Sequence, residues 1–303
     1  MQIVGNLPWW VKIGTKLVLS RLPMPYGFWR RLGIFRHGAM NDPDLAIRTF
    51  RRYFDKANAN CPIPSGFCSL ELGPGDSVLA GIAAKAFGAR KVYLVDTGIY
   101  AQSDVGACHE TTARLRASGL TLPESADATS LTEILDRFDI SYLTDGVSSL
   151  SAIPEGTIDF CWSQAVLEHV YRDEFPSLLR ELRRVMSKGA VGLHGVDFRD
   201  HLASGLNNLR FREQVWESRS FRRGGFYTNR IQCHVMIQMF EEAGFEVSVV
   251  ERNLWPVIPL PRRKMASPFR DMDEDQLRVA DAELLIRLRG DGSEFRKTSR
   301  ARV

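Results

Sequence analysis

Three short stretches of this sequence hold the residues best suited to chemistry. The first is Glu71-Leu72-Gly73-Pro74-Gly75-Asp76-Ser77, which lies between an apolar run and an Ala-rich run. Glycines in such a turn let the backbone pass close to a ligand that a Cβ would hold off. Glu71, two residues before the first glycine, suits a cationic ligand group and would repel a pyrophosphate. Asp96 follows at the end of the next apolar run, where a carboxylate can accept hydrogen bonds from a ribose diol. A dinucleotide site would need a third glycine three residues after Gly75, and Val78 stands there instead, which disfavours a dehydrogenase.

The second stretch is Glu168-His169, and the third is the group His194, Asp197, Asp200 and His201. Imidazoles and carboxylates gathered in this way suit removal of a proton from a hydroxyl, a form of help typically worth about 10²–10⁴-fold. A divalent metal lowering the hydroxyl pKa would serve the same end. The candidate bases are His169, His194, Asp197 and His201, and the metal-ligand candidates are Glu168, His169, His194 and Asp197. His194 lies in an apolar run beside Gly195, as a hydrogen-bonded core histidine would. Asp197 and His201 are four apart and share a face if their segment is helical.

The elements that must place these residues alternate between short apolar runs and helical patterns, the signature of a mainly parallel sheet flanked by helices. Strands are predicted at 67–72, 91–96, 140–144, 158–163, 190–196, 245–250 and 283–288. Helices are predicted at 78–87, 104–118, 130–137, 174–186 and 232–243, the last stopped by Gly244. In a parallel sheet the C-terminal strand ends face the ligand crevice, and the three reactive stretches all fall at such ends. Residues 198–230 are too long and too rich in Arg and aromatics for a simple connection, and read as a lid. Asn207, Asn208, Arg210, Arg212, Trp216, Arg219, Arg222, Arg223, Tyr227 and Arg230 give that lid a composition suited to stacking on a sugar or gripping a phosphate.

With 303 residues, 44% of them hydrophobic and 25% charged, the chain is long enough for a sizeable core and too apolar for general disorder. No apolar run is long enough to span a membrane, and no secretory leader is apparent, so a cytoplasmic protein is expected. The five cysteines form no CxxC pair, which argues for reduced thiols and against a cysteine zinc site. Residues 1–60 carry ten Lys/Arg against three Asp, interleaved with Trp9, Trp10, Tyr26, Phe28, Trp29 and Phe35. That basic, aromatic segment is expected to form a helical cap, with contact to an anionic membrane surface at the inner face as its functional alternative. It matches no nucleic-acid module. Residues 290–303 read as a disordered basic tail.

Residues 67–195 resemble a class I S-adenosylmethionine-dependent methyltransferase of the type 11 kind. Glu71-Leu72-Gly73-Pro74-Gly75 resembles the acidic-x-Gly-x-Gly turn along the methionine part of the cofactor, and Asp96 the ribose-binding acid. Tyr142-Leu143-Thr144-Asp145-Gly146 matches the turn at the adenine, and the run from Asp159 to Val170 the fourth-strand motif facing the reactive methyl. Glu181–Gly189 and Met239–Phe245 resemble the helix-and-turn segments before the fifth and sixth strands. Ser77 departs from a common third small glycine, and Ala165 leaves incomplete the Glu-x-x-Glu-His run of some metal-dependent relatives.

The resemblance implies a Rossmann-like, doubly wound α/β fold. Its sheet would be mainly parallel and seven-stranded with an antiparallel last strand; the domain is expected to span 61–289, with the 198–230 lid and the 1–60 extension lying outside the matched motifs. It implies S-adenosylmethionine as cofactor, held by Glu71, Gly73, Gly75, Asp76, Ser77, Asp96, Asp145, Gly146 and Ser163. Leu70–Ser77, His194–His201 and Phe226–Arg230 further resemble methyltransferases found among bacterial surface-polysaccharide genes. The expected activity is O-methylation of a small-molecule or glycan-type acceptor. The alternatives are an RNA methyltransferase and a catalytically silent partner protein, the second opposed by the intact Glu71, Gly73, Gly75, Asp96 and Asp145.

Overall fold

The computed structural model describes residues 8–19, 40–101 and 104–290. Its strands are β1 (Cys68–Leu72), β2 (Lys91–Val95), β3 (Ile140–Leu143), β4 (Ile158–Gln164), β5 (Met186–Asp197), β6 (Phe245–Leu254) and β7 (Val279–Leu288). They form one sheet in the order β3-β2-β1-β4-β5-β7-β6. All run parallel except β7, which is antiparallel to both β5 and β6. The chain leaves β1 toward β2 on one side and returns through β4 on the other, so a crevice opens over the ends of β1 and β4. Leu72 pairs with both Val95 and Ser163, and Ser163 with His194, which sets the ends of β1, β2, β4 and β5 level around it.

Helices cover both faces. On one lie α2 (Pro43–Asn60), α3 (Leu79–Ala86), α4 (Val105–Ala117) and α5 (Leu131–Arg137); on the other lie α6 (Phe175–Val185) and α7 (Cys233–Glu242). The helix α6 buries Phe175, Leu178, Leu179, Leu182 and Val185, a stripe at helical spacing that meets Cys161, Ile158 and Met186. The helix α2 starts at Pro43, with Asp42 accepting from the Leu45 N–H at 3.0 Å, an N-cap that fixes where it begins. Its Ala46, Phe50, Tyr53 and Ala57 sit in the main core against Phe160, Trp162 and Leu193. Each such fully buried large side chain contributes about 1.5–3 kcal/mol. Much of the charge of α2 is committed locally. Arg52 and Lys56 both pair with Glu283, Lys56 also reaches Glu251 at 2.6 Å, and Arg114 pairs with Asp44.

A further helix, α1 (Trp9–Leu19), packs elsewhere, against the insertion that follows β5. The predicted strands and helices are all present, several with moved ends. β5 starts at Met186, four residues early, because its pairing with β4 shifts register between Ile158 and Phe160 and absorbs the expected turn as an irregularity. β7 starts at Val279, also four residues early. The proline-rich connection 255–278 is folded, with Leu260, Met265, Phe269 and Leu277 packed on Leu206 and Leu209 of the insertion. The expected basic tail and Tyr26, Phe28, Trp29 and Phe35 of the N-terminal segment lie outside the described residues.

Candidate functional site

After β1 the chain turns through Gly73 (φ +66) and Gly75 (φ +67), in the left-handed region where glycine is nearly free of strain. A Cβ on Gly73 would meet Val166 Cγ2 at 2.5 Å, so the turn is packed directly on the segment after β4. The Gly73 N–H donates to the Val95 carbonyl at 2.8 Å. Asp96 Oδ2 accepts the Gly75 N–H at 2.9 Å and Oδ1 the Thr97 N–H at 2.7 Å. The Asp96 carbonyl in turn accepts the Gly146 N–H at 2.8 Å. Backbone hydrogen bonds thus fasten the glycine turn, Asp96 and the Asp145-Gly146 turn into one rim, with the Asp145 side chain exposed on it.

Glu71 lies under this rim, 4% exposed, and its Oε2 has no hydrogen-bond partner. Burial, with the charge of Asp96 adding to it, raises the Glu71 pKa well above the ordinary carboxylate range. A carboxyl so placed gains most from a cationic partner. Asp76 and Ser77 are buried at the start of α3, where Ser77 Oγ accepts the Leu79 N–H at 3.1 Å. Ser163 is also buried, and its Oγ bonds His194 Nδ1 at 2.8 Å. These side chains support the turn from beneath.

The second half of the site follows β4. Ala165 adopts φ +53 and its N–H donates to the Gly195 carbonyl at 2.8 Å, turning the chain back over the sheet. That turn presents Glu168 and His169. Glu168 is 2% exposed, and neither carboxylate oxygen has a well-formed hydrogen bond. Burial raises its pKa to about 8, tempered by nearby backbone N–H groups and reinforced by the charge of Asp197. The solvent-accessible His169 ring bonds through Nδ1 to the Tyr227 carbonyl at 2.9 Å. A carbonyl can only accept, so Nδ1 carries the hydrogen and neutral His169 keeps its lone pair on Nε2. His201 meets the His169 ring edge-on, with centroids 4.7 Å apart. One ligand atom from each of Glu168, His169 and His201 lies within 4.8 Å of the others.

The other reactive residues named from sequence do not join this cluster. His194 is fully buried in β5, held between Ser163 and Cys161 and stacked beside Phe240. Burial lowers its pKa to about 3, so it is a neutral core histidine. The geometry therefore corrects both its candidate roles, base and metal ligand. Asp197 is spent on Arg199, whose Nε and Nη2 donate to its two oxygens at 2.8 and 3.0 Å. The Asp197–His201 segment is not helical, so the shared face predicted for that pair does not form. Buried Asp200 accepts the N–H groups of Leu202 (2.9 Å) and Ala203 (2.6 Å) and the Asn207 side chain (3.1 Å), which shapes the loop presenting His201.

The insertion is built differently from a stacking lid. Trp216 is completely buried, donates Nε1–H to the Thr228 carbonyl at 2.7 Å, and packs with Phe211, Phe221, Phe226 and Tyr227. Tyr227 Oη donates to Glu217 at 2.9 Å, and Arg222 pairs with Asp173 and Glu217. Arg230 is sandwiched between Trp216 and Phe269, with burial lowering its pKa to about 10. Trp216, Tyr227 and Arg230, which suggested sugar or phosphate binding, are therefore buried in the insertion's own packing, while Arg212, Arg219 and Arg223 stay exposed. Ile13 of α1 joins that core.

Three supporting residues escaped the sequence reading. Asn229 Nδ2 donates to the Leu167 (2.8 Å) and Val170 (3.0 Å) carbonyls, and its N–H to the Glu168 carbonyl (2.7 Å), clamping the Glu168-His169 turn. Tyr142 Oη accepts the Tyr100 and Ala101 N–H groups at 3.1 and 3.2 Å, holding the loop after Asp96. Tyr53 leans over Gly195, where an added Cβ would lie 2.1 Å from its Oη. Asn229 and Tyr142 lay within phrases singled out in the sequence, Phe226–Arg230 and Tyr142–Gly146, without their own roles being read; Tyr53 carried no such signal.

Residues 70–193 match the family model of a methyltransferase domain. No curated protein sequence matches the chain. Among solved structures it is similar to an S-adenosylmethionine-dependent methyltransferase from Mesorhizobium loti, at 16% identity and a TM-score of 0.41, over 80% of this chain and 95% of that one. An arsenic(III) S-adenosylmethionine methyltransferase from Chlamydomonas reinhardtii matches at 16% identity and a TM-score of 0.41, over 80% of this chain and 73% of that one. Phosphoethanolamine N-methyltransferase 2 of Haemonchus contortus, in complex with S-adenosyl-L-methionine, matches at 14% identity and a TM-score of 0.46. That match takes in 81% of this chain and 52% of the other.

Proposed function

We propose that this chain, a class I S-adenosylmethionine-dependent methyltransferase by its matched domain and its sheet order, O-methylates a small-molecule or glycan-type acceptor. The observation that carries the acceptor side is the meeting of Glu168, His169 and His201 on the turn that packs against Gly73. The rim fits the cofactor. Glu71 offers a buried oxygen with no partner, and the left-handed Gly73 lets the turn close tightly on Val166.

In this reading Glu71 holds the cofactor's ammonium, Asp96 its ribose diol, and the Asp145-Gly146 turn its adenine edge. S-adenosylmethionine, when bound, supplies an activated methyl on a sulfonium. What the chain must add is position, exclusion of water and a destination for the hydroxyl proton. The imidazoles of His169 and His201 stand where that proton can be received, with His169 fixed in its Nδ1–H form by Tyr227. Asn229 keeps the turn in place while the acceptor docks.

The test is calorimetry with S-adenosylhomocysteine, followed by transfer of labelled methyl to a panel of hydroxyl acceptors that includes sugars. Micromolar binding that disappears in Asp96→Ala, together with label in an acid-stable methyl ether, is the expected result. Folded wild-type protein that binds no S-adenosylhomocysteine would overturn the proposal. Label retained only in RNA would redirect it to a nucleic-acid acceptor.

A further inference from the structure

Glu168 is buried, and beyond the nearby backbone N–H groups of Glu168 and Asp197 neither carboxylate oxygen has a well-formed hydrogen bond. A carboxylate in that position is costly unless a cation or a proton joins it. Arg199, the cation whose field reaches it, is already held by both oxygens of Asp197. On the open side stand two imidazoles, and the ligand atoms of Glu168, His169 and His201 all lie within 4.8 Å of one another. The His169 ring is oriented by its Nδ1 bond to the Tyr227 carbonyl, the kind of outer bond that commonly sets a ligating imidazole. His201 sits on a loop stapled by Asp200. Both histidines face solvent, so a centre held by these three groups would keep room for a water or a substrate oxygen.

We infer that Glu168, His169 and His201 bind one divalent transition-metal ion. Two nitrogen donors with a single carboxylate favour ions such as zinc or cobalt over magnesium and calcium, which take oxygen ligands. Donors bonded to one ion at about 2.0–2.2 Å stand roughly 3–3.5 Å apart, so side-chain rotation of about 1.5 Å closes the set. His194 and Cys161, behind the cluster in the core, take no part. The catalytic meaning of the ion rests on the methyl-transfer reading, whereas its binding does not. It would hold the acceptor oxygen and lower the pKa of that hydroxyl. With their lone pairs on the ion the two imidazoles would no longer act as the base: the proton would leave to solvent, the new O–CH3 bond form, and the C–S bond break to release a neutral thioether.

The full chain, stripped with a chelator, would be titrated with cobalt(II) by visible absorption and with zinc(II) by calorimetry. One ion per chain with micromolar or tighter affinity is expected. His201→Asn and Glu168→Gln should each weaken binding at least tenfold. S-adenosylhomocysteine binding, measured on the same samples, should stay unchanged. If Glu168→Gln fails to fold, His201→Asn, on its solvent-facing loop, carries the test. Folded protein that gives no cobalt spectrum and no zinc heat at millimolar metal would overturn the inference, as would binding unchanged in the variants. Intact metal binding without S-adenosylhomocysteine binding would instead strike only the methyl-transfer reading.

Discussion

At the scale of single residues, the cofactor side makes a prediction about pH. The raised pKa of Glu71 keeps its carboxyl protonated further above the ordinary carboxylate range than an exposed glutamate would be. A cationic ammonium favours the ionised form and so lowers that pKa in the complex. Affinity for S-adenosylhomocysteine should therefore rise with pH until it passes the free protein's Glu71 pKa, and level off above it. Glu71→Gln should flatten this slope and weaken binding by about 1.5–3 kcal/mol, roughly 10- to 150-fold, as expected for a lost charged hydrogen bond. Calorimetry across the pH range checks both, and an unchanged slope in the variant would remove Glu71 from the ammonium site. Gly73→Ala should abolish binding in protein that still folds, because its Cβ enters the Val166 side chain at a φ of +66. The placement of Glu71, Gly73 and Asp96 was legible in the sequence because it follows from position at the ends of two adjacent strands, β1 and β2, and in the turn after the first. The meeting of Glu168 with His201 was not, since a 33-residue separation closes only when β5 and the loop after it are in place.

The elements show where composition misleads. Strands β1 to β4 were legible almost to the residue, because a strand buried on both faces reads as a short apolar run. The insertion was read as a recognition lid because Trp, Tyr and Arg suit exposed binding surfaces. Its Trp216 and Tyr227 instead build a small core, since a segment of that length must bury its own apolar groups to stay folded. Trp216→Ala should accordingly cost about 3–5 kcal/mol, the usual range for deleting a buried Trp, and appear as a lowered Tm. Asn229→Ala tests the clamp between the insertion and the turn after β4. It removes the two side-chain donors to Leu167 and Val170 and the acceptor of the Ile231 N–H. S-adenosylhomocysteine binding should survive, while kcat falls at least tenfold because the Glu168-His169 turn loosens. Equal losses in cofactor binding and kcat would show that the clamp serves the whole domain.

For the whole molecule, the open question is what the N-terminal segment does, and its described parts divide cleanly. The helix α2 is a layer of the domain, with Phe50 and Tyr53 in the core and Arg52 and Lys56 in ion pairs. The helix α1 packs on the insertion, near the proposed acceptor side. Its Ile13 is buried with Leu202, Trp216 and Phe226; Lys16 donates to the Gly225 carbonyl at 2.9 Å, and its field reaches His201. Its Trp10 is 62% exposed. A sequence can show that such a helix is basic and aromatic, but which side chains turn inward depends on the insertion it meets. Removing residues 1–19 should leave S-adenosylhomocysteine affinity within about twofold, because the core packing of α1 among the described residues is with the insertion. It should raise the acceptor KM and lower Tm by the few degrees that losing one buried apolar contact set implies. Membrane contact, if α1 provides it, runs through the outward face that carries Trp10. The full chain should then co-sediment with vesicles rich in anionic lipid while Trp10→Ala and the truncated chain stay in solution. Equal sedimentation of all three would move any membrane role away from α1 and leave it as a wall of the acceptor site.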